Sequence, residues 1–521
     1  MYAAGMEPFT VACCQVRAYD LSDAEENLQN LLRTLDDAGL AGAKLVGLPE
    51  CAYPAYYVGD TDPYARPGVR GFDKVCSLFA AKARQYGYWL AAGMAVPHGP
   101  GRLTNSAMVF APDGTIQGRY DKSFLWHFDT SWFERGTEFP VFDAGFCKFG
   151  VLICADGRQP EVARSLVLNG AELILDLTAW VSWGRTVQEL STPQCEYMMP
   201  VRAFENGVWV AAADKWGPEA GTIIYAGRSC VIDPEGIVRV AAPSDCDAVV
   251  TFEIEPVAVE RPRRRPSLYG RLVEPTLRLP ISKLLDTPIV PARANNRIAV
   301  IPDEGSFDAG RLARRYSELR AQGADLVVAP GMPGSGNWHA ALPEIEAAVR
   351  ENGGAFAFAV ATDGATPAAV GVLITPDQTY EHAPTHGSWA SAGEVNAEVV
   401  NTPAGNIALL CGDEGLVPEV ARSLVLEGAD IIAWSAFAPH SMTERIARCR
   451  SDENRVYTAV AWQGGGLITA PTGAVLTAVP AGSGVAMAAQ VNPALSRWKD
   501  MAPGTNVIFD RLPAAYGALV R

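Results

Sequence analysis

No cysteine pair in this chain is spaced C-x-x-C, and its eleven cysteines are scattered and odd in number, which argues against a disulfide framework or a structural zinc site. Histidine is scarce too, six in all, and none stands in an H-E-x-x-H pattern, so no metal held by the protein is expected. Long apolar runs are missing: nothing approaches the eighteen or so residues of a membrane span. The opening "MYAAGMEPFT" lacks the basic and apolar regions of a signal peptide, so the expected setting is cytoplasmic, with no membrane partner. Excess positive charge is absent as well, and a net charge of −15 disfavours nucleic acid as a partner. What remains is a chain of 521 residues, 49% apolar and 19% charged, a soluble globular composition too long for one ordinary core.

The phrase "PEVARSLVL" occurs twice, at Pro160 to Leu168 and at Pro418 to Leu426. Other stretches repeat in the same order. "GAKLVGLPE" answers to "GADLVVAPG", "RAFENGVWVAAA" to "RSDENRVYTAVA", and "VIDPEGIVRVAAP" to "LITAPTGAVLTAVP". Two homologous domains are therefore expected, residues 1–255 and 294–521, with a Pro/Arg-rich linker at 256–293. The run "RPRRRP" reads as a solvated, proline-stiffened stretch of that linker, with a subunit or anion contact as the alternative. Within each domain, β-rich runs such as "FTVACCQV" and "AKLVGLPE" alternate with helical spacing, as in "AEENLQNLLRTLDDAG". That order predicts a layered α/β fold.

Three residues of the first domain make chemical sense together. Glu50 ends an apolar strand, Lys122 follows a hairpin in "GRYDKSFLW", and Cys154 ends "FGVLIC" just before a helix. Each alone reads as ordinary: a capping carboxylate, a solvated amine, a small buried hydrophobe. A thiol is mostly protonated at neutral pH, however, and needs a base or a nearby cation to become a nucleophile. Glu50 would be that base. Lys122 and the backbone N–H of Ala155, at a helix start, would hold a developing oxyanion.

"LPE" after a strand, "YDK" after a hairpin and "C-x-D-x-R-x-P-E" entering a helix resemble the Glu–Lys–Cys triad of the carbon–nitrogen hydrolases, the nitrilase superfamily. "RAFEN" and "GRSCVIDPEG" extend the resemblance through the first domain. It implies four-layer α-β-β-α sandwich domains, two in tandem here and paired as an intrachain pseudo-dimer open to further homo-oligomerisation. It also implies thiol-dependent cleavage of a small amide or N-carbamoyl substrate through a thioester, with no metal or organic cofactor. "CADGR" is similar to the amidase and carbamoylase branches; a nitrilase acting on a nitrile, and an acyltransferase with the same triad, remain alternatives. The family's second glutamate falls at Asp129 in "HFDTSWFERG", one methylene shorter, with Glu134 nearby but out of register. Arg158 matches a family arginine, either a structural ion-pair partner or a ligand for a substrate carboxylate. Tyr53, Trp126, Trp180 and Trp183 lie beside the motifs and would line a pocket, or pack the core.

The second copy reads as degenerate. Glu50 falls opposite Gly331, Lys122 opposite His386 and Cys154 opposite Gly412, with Cys411 one residue early and so on the other face of its strand. A catalytically silent partner is expected, and the tail "DRLPAAYGALVR" resembles a detachable packing segment.

Overall fold

The computed structural model describes residues 6–59, 62–99, 101–184, 186–285, 296–334, 337–362, 368–387, 398–480 and 482–521. The chain forms two compact units. Unit 1 comprises Met1–Glu260, Asp500–Asn506 and Asp510–Leu519; unit 2 comprises Arg261–Lys499, Val507–Phe509 and Val520–Arg521.

Unit 1 is built on strand β1 (Phe9–Arg17), β2 (Leu45–Tyr53), β3 (Trp89–Pro97), β4 (Leu103–Phe110) and β5 (Ile116–Asp121). The first three run parallel, and β3, β4 and β5 are antiparallel. All nine positions of β2 are buried, as expected for a central parallel strand covered on both faces. On one face lie helices α1 (Ala24–Leu40) and α2 (Phe72–Tyr86). Leu28, Leu31 and Leu35, spaced on one side of α1, meet Val46 and Leu48 of β2 in a common core. The other face meets a second sheet, in which Lys148–Ile153, Leu173–Leu177 and Trp209–Ala213 run parallel. Gly47 of β2 sits so close to that sheet that a Cβ there would stand 3.3 Å from Leu177. The helices Pro160–Leu168 and Met199–Asn206 form the outer layer, which completes the α-β-β-α sandwich.

Unit 2 repeats the plan. Two six-stranded sheets enclose one core, with Ile298, Leu326, Ile407 and Ile431 among its members. Helices Ala309–Ala321 and Leu342–Asn352 cover one sheet, and Pro418–Leu426 and Thr443–Asn454 the other.

Two expectations change at this level. Residues 286–293 of the expected linker lie outside the described residues, but from Arg261 on the rest belongs to unit 2, where Tyr269, Leu272, Leu279 and Ile281 are buried. Arg264 pairs there with Glu419 at 3.0 Å. Its basic charge is spent on a helix carboxylate, which composition alone presents as solvation. Most of the 500–519 stretch, expected with the second domain, belongs to unit 1. No helix among the described residues is long and apolar enough to cross a membrane.

Candidate active site

Glu50 reaches the site through a break in β2. The pairing of β2 with β3 shifts register between Leu48 and Tyr53, and Cys51 adopts a φ of 39°, the left-handed region that non-glycine residues rarely enter. Opposite stands Gly93 of β3, where a Cβ would overlap the Pro49 carbonyl and come within 2.8 Å of the Glu50 Cα. Glycine on one strand thus makes room for the bulge on the other. The Glu50 carboxylate is buried, and its Oε1 accepts two hydrogen bonds, from Lys122 Nζ at 2.6 Å and Asn105 Nδ2 at 2.7 Å.

Lys122 follows β5 directly. Its backbone N–H donates to the Asn105 carbonyl and its own carbonyl accepts from Gly136, which fixes the residue from both sides. The ammonium also donates to Asp129 Oδ2 at 2.5 Å, so one buried cation serves two buried carboxylates. The shorter aspartate side chain closes this contact directly. Asp129 Oδ2 additionally accepts from the Trp126 N–H, while Oδ1 is buried with no hydrogen-bond partner. Burial would lower the Lys122 pKa, but Asp129 and Glu50 outweigh it and hold the amine well above its ordinary range. Burial raises the Glu50 carboxyl; Lys122 pulls it back and Asp129 pushes it up again. A carboxylate poised this way takes a proton readily.

Cys154 begins a tight turn, Cys154–Arg158, after its strand, and its φ of 48° is again left-handed. Such a conformation persists only where the surroundings determine it. Here the Cys154 N–H donates to Asp176 Oδ1 at 3.1 Å and its carbonyl accepts from Gln194 Nε2 at 2.6 Å. Asp156, two residues on, accepts from Ile153 N, from Tyr120 Oη, from Ser123 N and Oγ, and from Phe124 N. Tyr120, Ser123 and Phe124 flank Lys122, so a single carboxylate ties the cysteine turn to the lysine segment. Burial and the Glu50 charge push the Cys154 thiol well up, with Lys122 pulling it back, so the resting thiol is protonated and depends on a base. Ala155 is buried in the first turn, whose N–H groups lack acceptors within the turn.

The remaining candidates divide. Arg158 and Trp126 come together, the guanidinium 4.7 Å above the indole ring. Trp180 is buried one residue beyond Ala179, whose carbonyl lies 3.7 Å from Cys154 Sγ; its indole N–H has no partner. Tyr53 is not a pocket residue. It belongs to the core under α1 and α2, and its hydroxyl accepts from the Arg70 N–H at 2.6 Å. The bulge after Leu48 breaks the strand alternation and turns Tyr53 to the helix face. Trp183 is exposed, and Glu134 sits at the surface paired with Arg102 at 3.0 Å. Asn105 escaped the sequence reading, and Asp156 stood in the cysteine motif without a role assigned to it. The Tyr56 phenol is buried, and its pKa is raised by that burial and by the charges of Asp129 and Glu50. A buried Asn inside "LTNSAMVF" and an Asp two residues after the cysteine were the available signals.

In unit 2 the same hydrogen bonds identify the counterparts. Glu50 N donates to Thr178 O, and Gly331 N donates to Ala436 O. Ile153 N donates to Asp156, and Cys411 N donates to Glu414, so Cys411 matches Ile153 and Gly412, with a φ of 59°, matches Cys154. Tyr120 and Ser123 bond Asp156 as His382 and Thr385 bond Glu414. Counting between those anchors, Pro384 rather than His386 replaces Lys122; the alignment through the hairpins was two residues off. His382 and His386 stand in H-x₃-H spacing, but one bonds Glu414 and the other Tyr269 and Thr385. Among the described residues no cluster of three or more His, Cys, Asp or Glu side chains could hold a metal ion. Phe437 packs against Gly331, 2.5 Å from where a Cβ would stand, so a phenyl ring occupies the space beside the missing glutamate.

Comparison with known proteins finds relatives of the first unit. The carbon-nitrogen hydrolase family model matches residues 10–264. A nitrilase of Pyrococcus abyssi is 32% identical over 243 residues, 46% of this chain and 88% of the relative. An omega-amidase of Xenopus laevis is 29% identical over 265 residues, 47% of this chain and 91% of that protein. Among solved structures, a double mutant of the amidase from Nesterenkonia sp. AN1 in complex with acrylamide is 26% identical at a TM-score of 0.42, covering 47% of this chain and 90% of that one. A strand-end glutamate bonded to a buried lysine, a strained cysteine turn tied to the same segment, and a relative 32% identical over most of its length all point one way: this chain belongs to the carbon–nitrogen hydrolase family and is an enzyme acting on amide-type carbon–nitrogen bonds.

Proposed function

We propose that unit 1 is a thiol amidohydrolase for a small linear amide or N-carbamoyl compound, and that unit 2 is catalytically silent. The observation that carries the reading is the buried Glu50–Lys122–Asp129 cluster, with bonds of 2.6 and 2.5 Å. Two carboxylates around one ammonium leave a site that accepts a proton, and the protonated Cys154 thiol supplies one. Both bonds to Glu50 fall on Oε1, which leaves Oε2 for proton exchange.

Glu50 takes the thiol proton as the sulfur attacks the amide carbon, and the carbonyl π pair moves to oxygen. Lys122 and the Ala155 N–H stabilise that oxyanion. Collapse of the tetrahedral adduct expels ammonia or an amine, which carries away the proton held by Glu50, and leaves a thioester on Cys154. Water then attacks the thioester while Glu50 removes its proton, and the same proton returns to sulfur as the acid departs. Asp129 holds Lys122 through Oδ2, and its unpartnered Oδ1 is suited to accept an N–H from the substrate amide. The omega-amidase relatives support an amide substrate.

The test is mass spectrometry of Cys154 after brief exposure to a panel of amides, N-carbamoyl compounds and nitriles. An acyl adduct formed from amides, with ammonia release abolished in Cys154→Ala, is the expected result. Turnover of nitriles alone would replace this reading with a nitrilase, the activity named for the archaeal relative. Transfer of the acyl group to an added amine in preference to water would make the enzyme an acyltransferase.

A further inference from the structure

We infer that the 500–519 arm positions the catalytic loop of unit 1, with Thr505 as its clamp; the inference rests on the proposed role of Lys122 and Asp129. Within the arm, Asp500–Asn506 and Asp510–Leu519 belong to unit 1. Thr505 Oγ1 accepts from the His127 N–H at 2.8 Å and donates to the Leu125 carbonyl at 3.3 Å, bridging the two sides of the turn that carries Trp126. His127 holds a left-handed φ of 45° within that turn. The Trp126 N–H donates to the same Asp129 oxygen that takes Lys122. A path of direct bonds therefore runs from Thr505 through the turn to Asp129, Lys122 and Glu50.

A second anchor lies further along the arm. Arg135 donates to the Ser123 carbonyl at 2.6 Å and also to the Asp510 carbonyl, so the segment just after Lys122 is held to the arm. Arg511 pairs with Glu161 at 3.1 Å, both side chains buried, on the helix that follows the cysteine turn. The arm thus touches the segments that follow two of the three triad residues.

The arm is also written twice. "RLPAAYGALV" from Arg511 and "RRPSLYGRLV" from Arg264 share Arg, Pro, Tyr, Gly, Leu and Val at the same places. Arg264 bonds Glu419 as Arg511 bonds Glu161, and the N–H of the next residue donates to Tyr269 Oη or Tyr516 Oη at 3.1 Å in each case. Each unit therefore carries an arm on the glutamate of its "PEVARSLVL" helix, and unit 1 adds the threonine clamp on the loop beside its reactive residues.

The experiment measures alkylation of Cys154 by iodoacetamide across pH, read on the Cys154 peptide, in the full chain and in Thr505→Val and Thr505→Ser. Alkylation needs no amide, so it scores the arm even where no member of the substrate panel is turned over. Thr505→Val should slow labelling at pH 7.5 about tenfold and lower kcat by a similar factor with the melting temperature held, because small displacements of catalytic groups cost that much or more. Thr505→Ser keeps the hydroxyl and should restore both rates to within about twofold. Labelling of Thr505→Val at the unmutated rate and pH midpoint, or an equal loss in Thr505→Ser, would overturn the inference.

Discussion

Asn105 illustrates how one neutral side chain sets the chemistry of a charged one. The hydrogen bond its side-chain N–H donates to Glu50 lowers a carboxyl that burial raises. Without it the Glu50 pKa rises further, so a larger fraction is protonated at any given pH. In Asn105→Ala the acid limb of the kcat/KM profile should move to higher pH, and the rate at neutral pH should fall roughly 10–100-fold, since a bond to a buried charge and part of the general-base advantage go together. Lys122, held well above its ordinary range, stays charged throughout and contributes no alkaline limb. Stability runs the other way. A folded-state pKa raised above the unfolded value favours the protonated form, so the contribution of Glu50 to stability is present below its unfolded pKa and lost as pH rises through the folded one. Glu50→Gln should therefore abolish turnover while leaving the melting temperature at pH 8 unchanged or higher, because Lys122 and Asp129 remain as a balanced pair. Calorimetry beside an activity assay checks both halves.

Elements explain which parts of the site could be read in advance. Strand ends and helix starts announced Glu50, Lys122 and Cys154, because an apolar run closing on a charged or nucleophilic residue is visible in one dimension. The bulge was not visible: it depends on Gly93, on a different strand, and it sent Tyr53 to the helix core while Tyr56 packs in a separate cluster with Cys51 and Tyr225. Asn105 was equally hidden, and Asp156 was visible in its motif but not its task, since a buried polar residue reveals that only through partners distant in sequence. The 256–285 stretch looked like a linker because arginine and proline usually mean solvent, and here arginine docks on a glutamate instead. Gly93→Ala tests the bulge. The added methyl meets backbone rather than a movable side chain, so the variant should lose about 3 kcal/mol in denaturant unfolding, together with most of its activity.

At the scale of the whole molecule the chain carries two copies of one architecture and one set of reactive groups. Trapping with an acylating substrate should therefore label one cysteine per chain, and Cys411→Ala should retain turnover within about twofold, since Cys411 occupies the place of Ile153 on the strand. Two equivalents of acyl group per chain would refute this. The ring of Phe437 beside Gly331 makes the difference between the copies a matter of history as well as chemistry. To recover a reactive centre in unit 2, the ring would have to leave, and a glutamate, a lysine and a cysteine would have to arrive together. A glutamate arriving first would meet the Phe437 ring, and a lysine arriving first would be a buried charge without its partner. On the proposed reading of unit 2 as silent, each single step back is penalised before the last is rewarded, so the second copy would be held as a scaffold by a ratchet of buried charge and filled space.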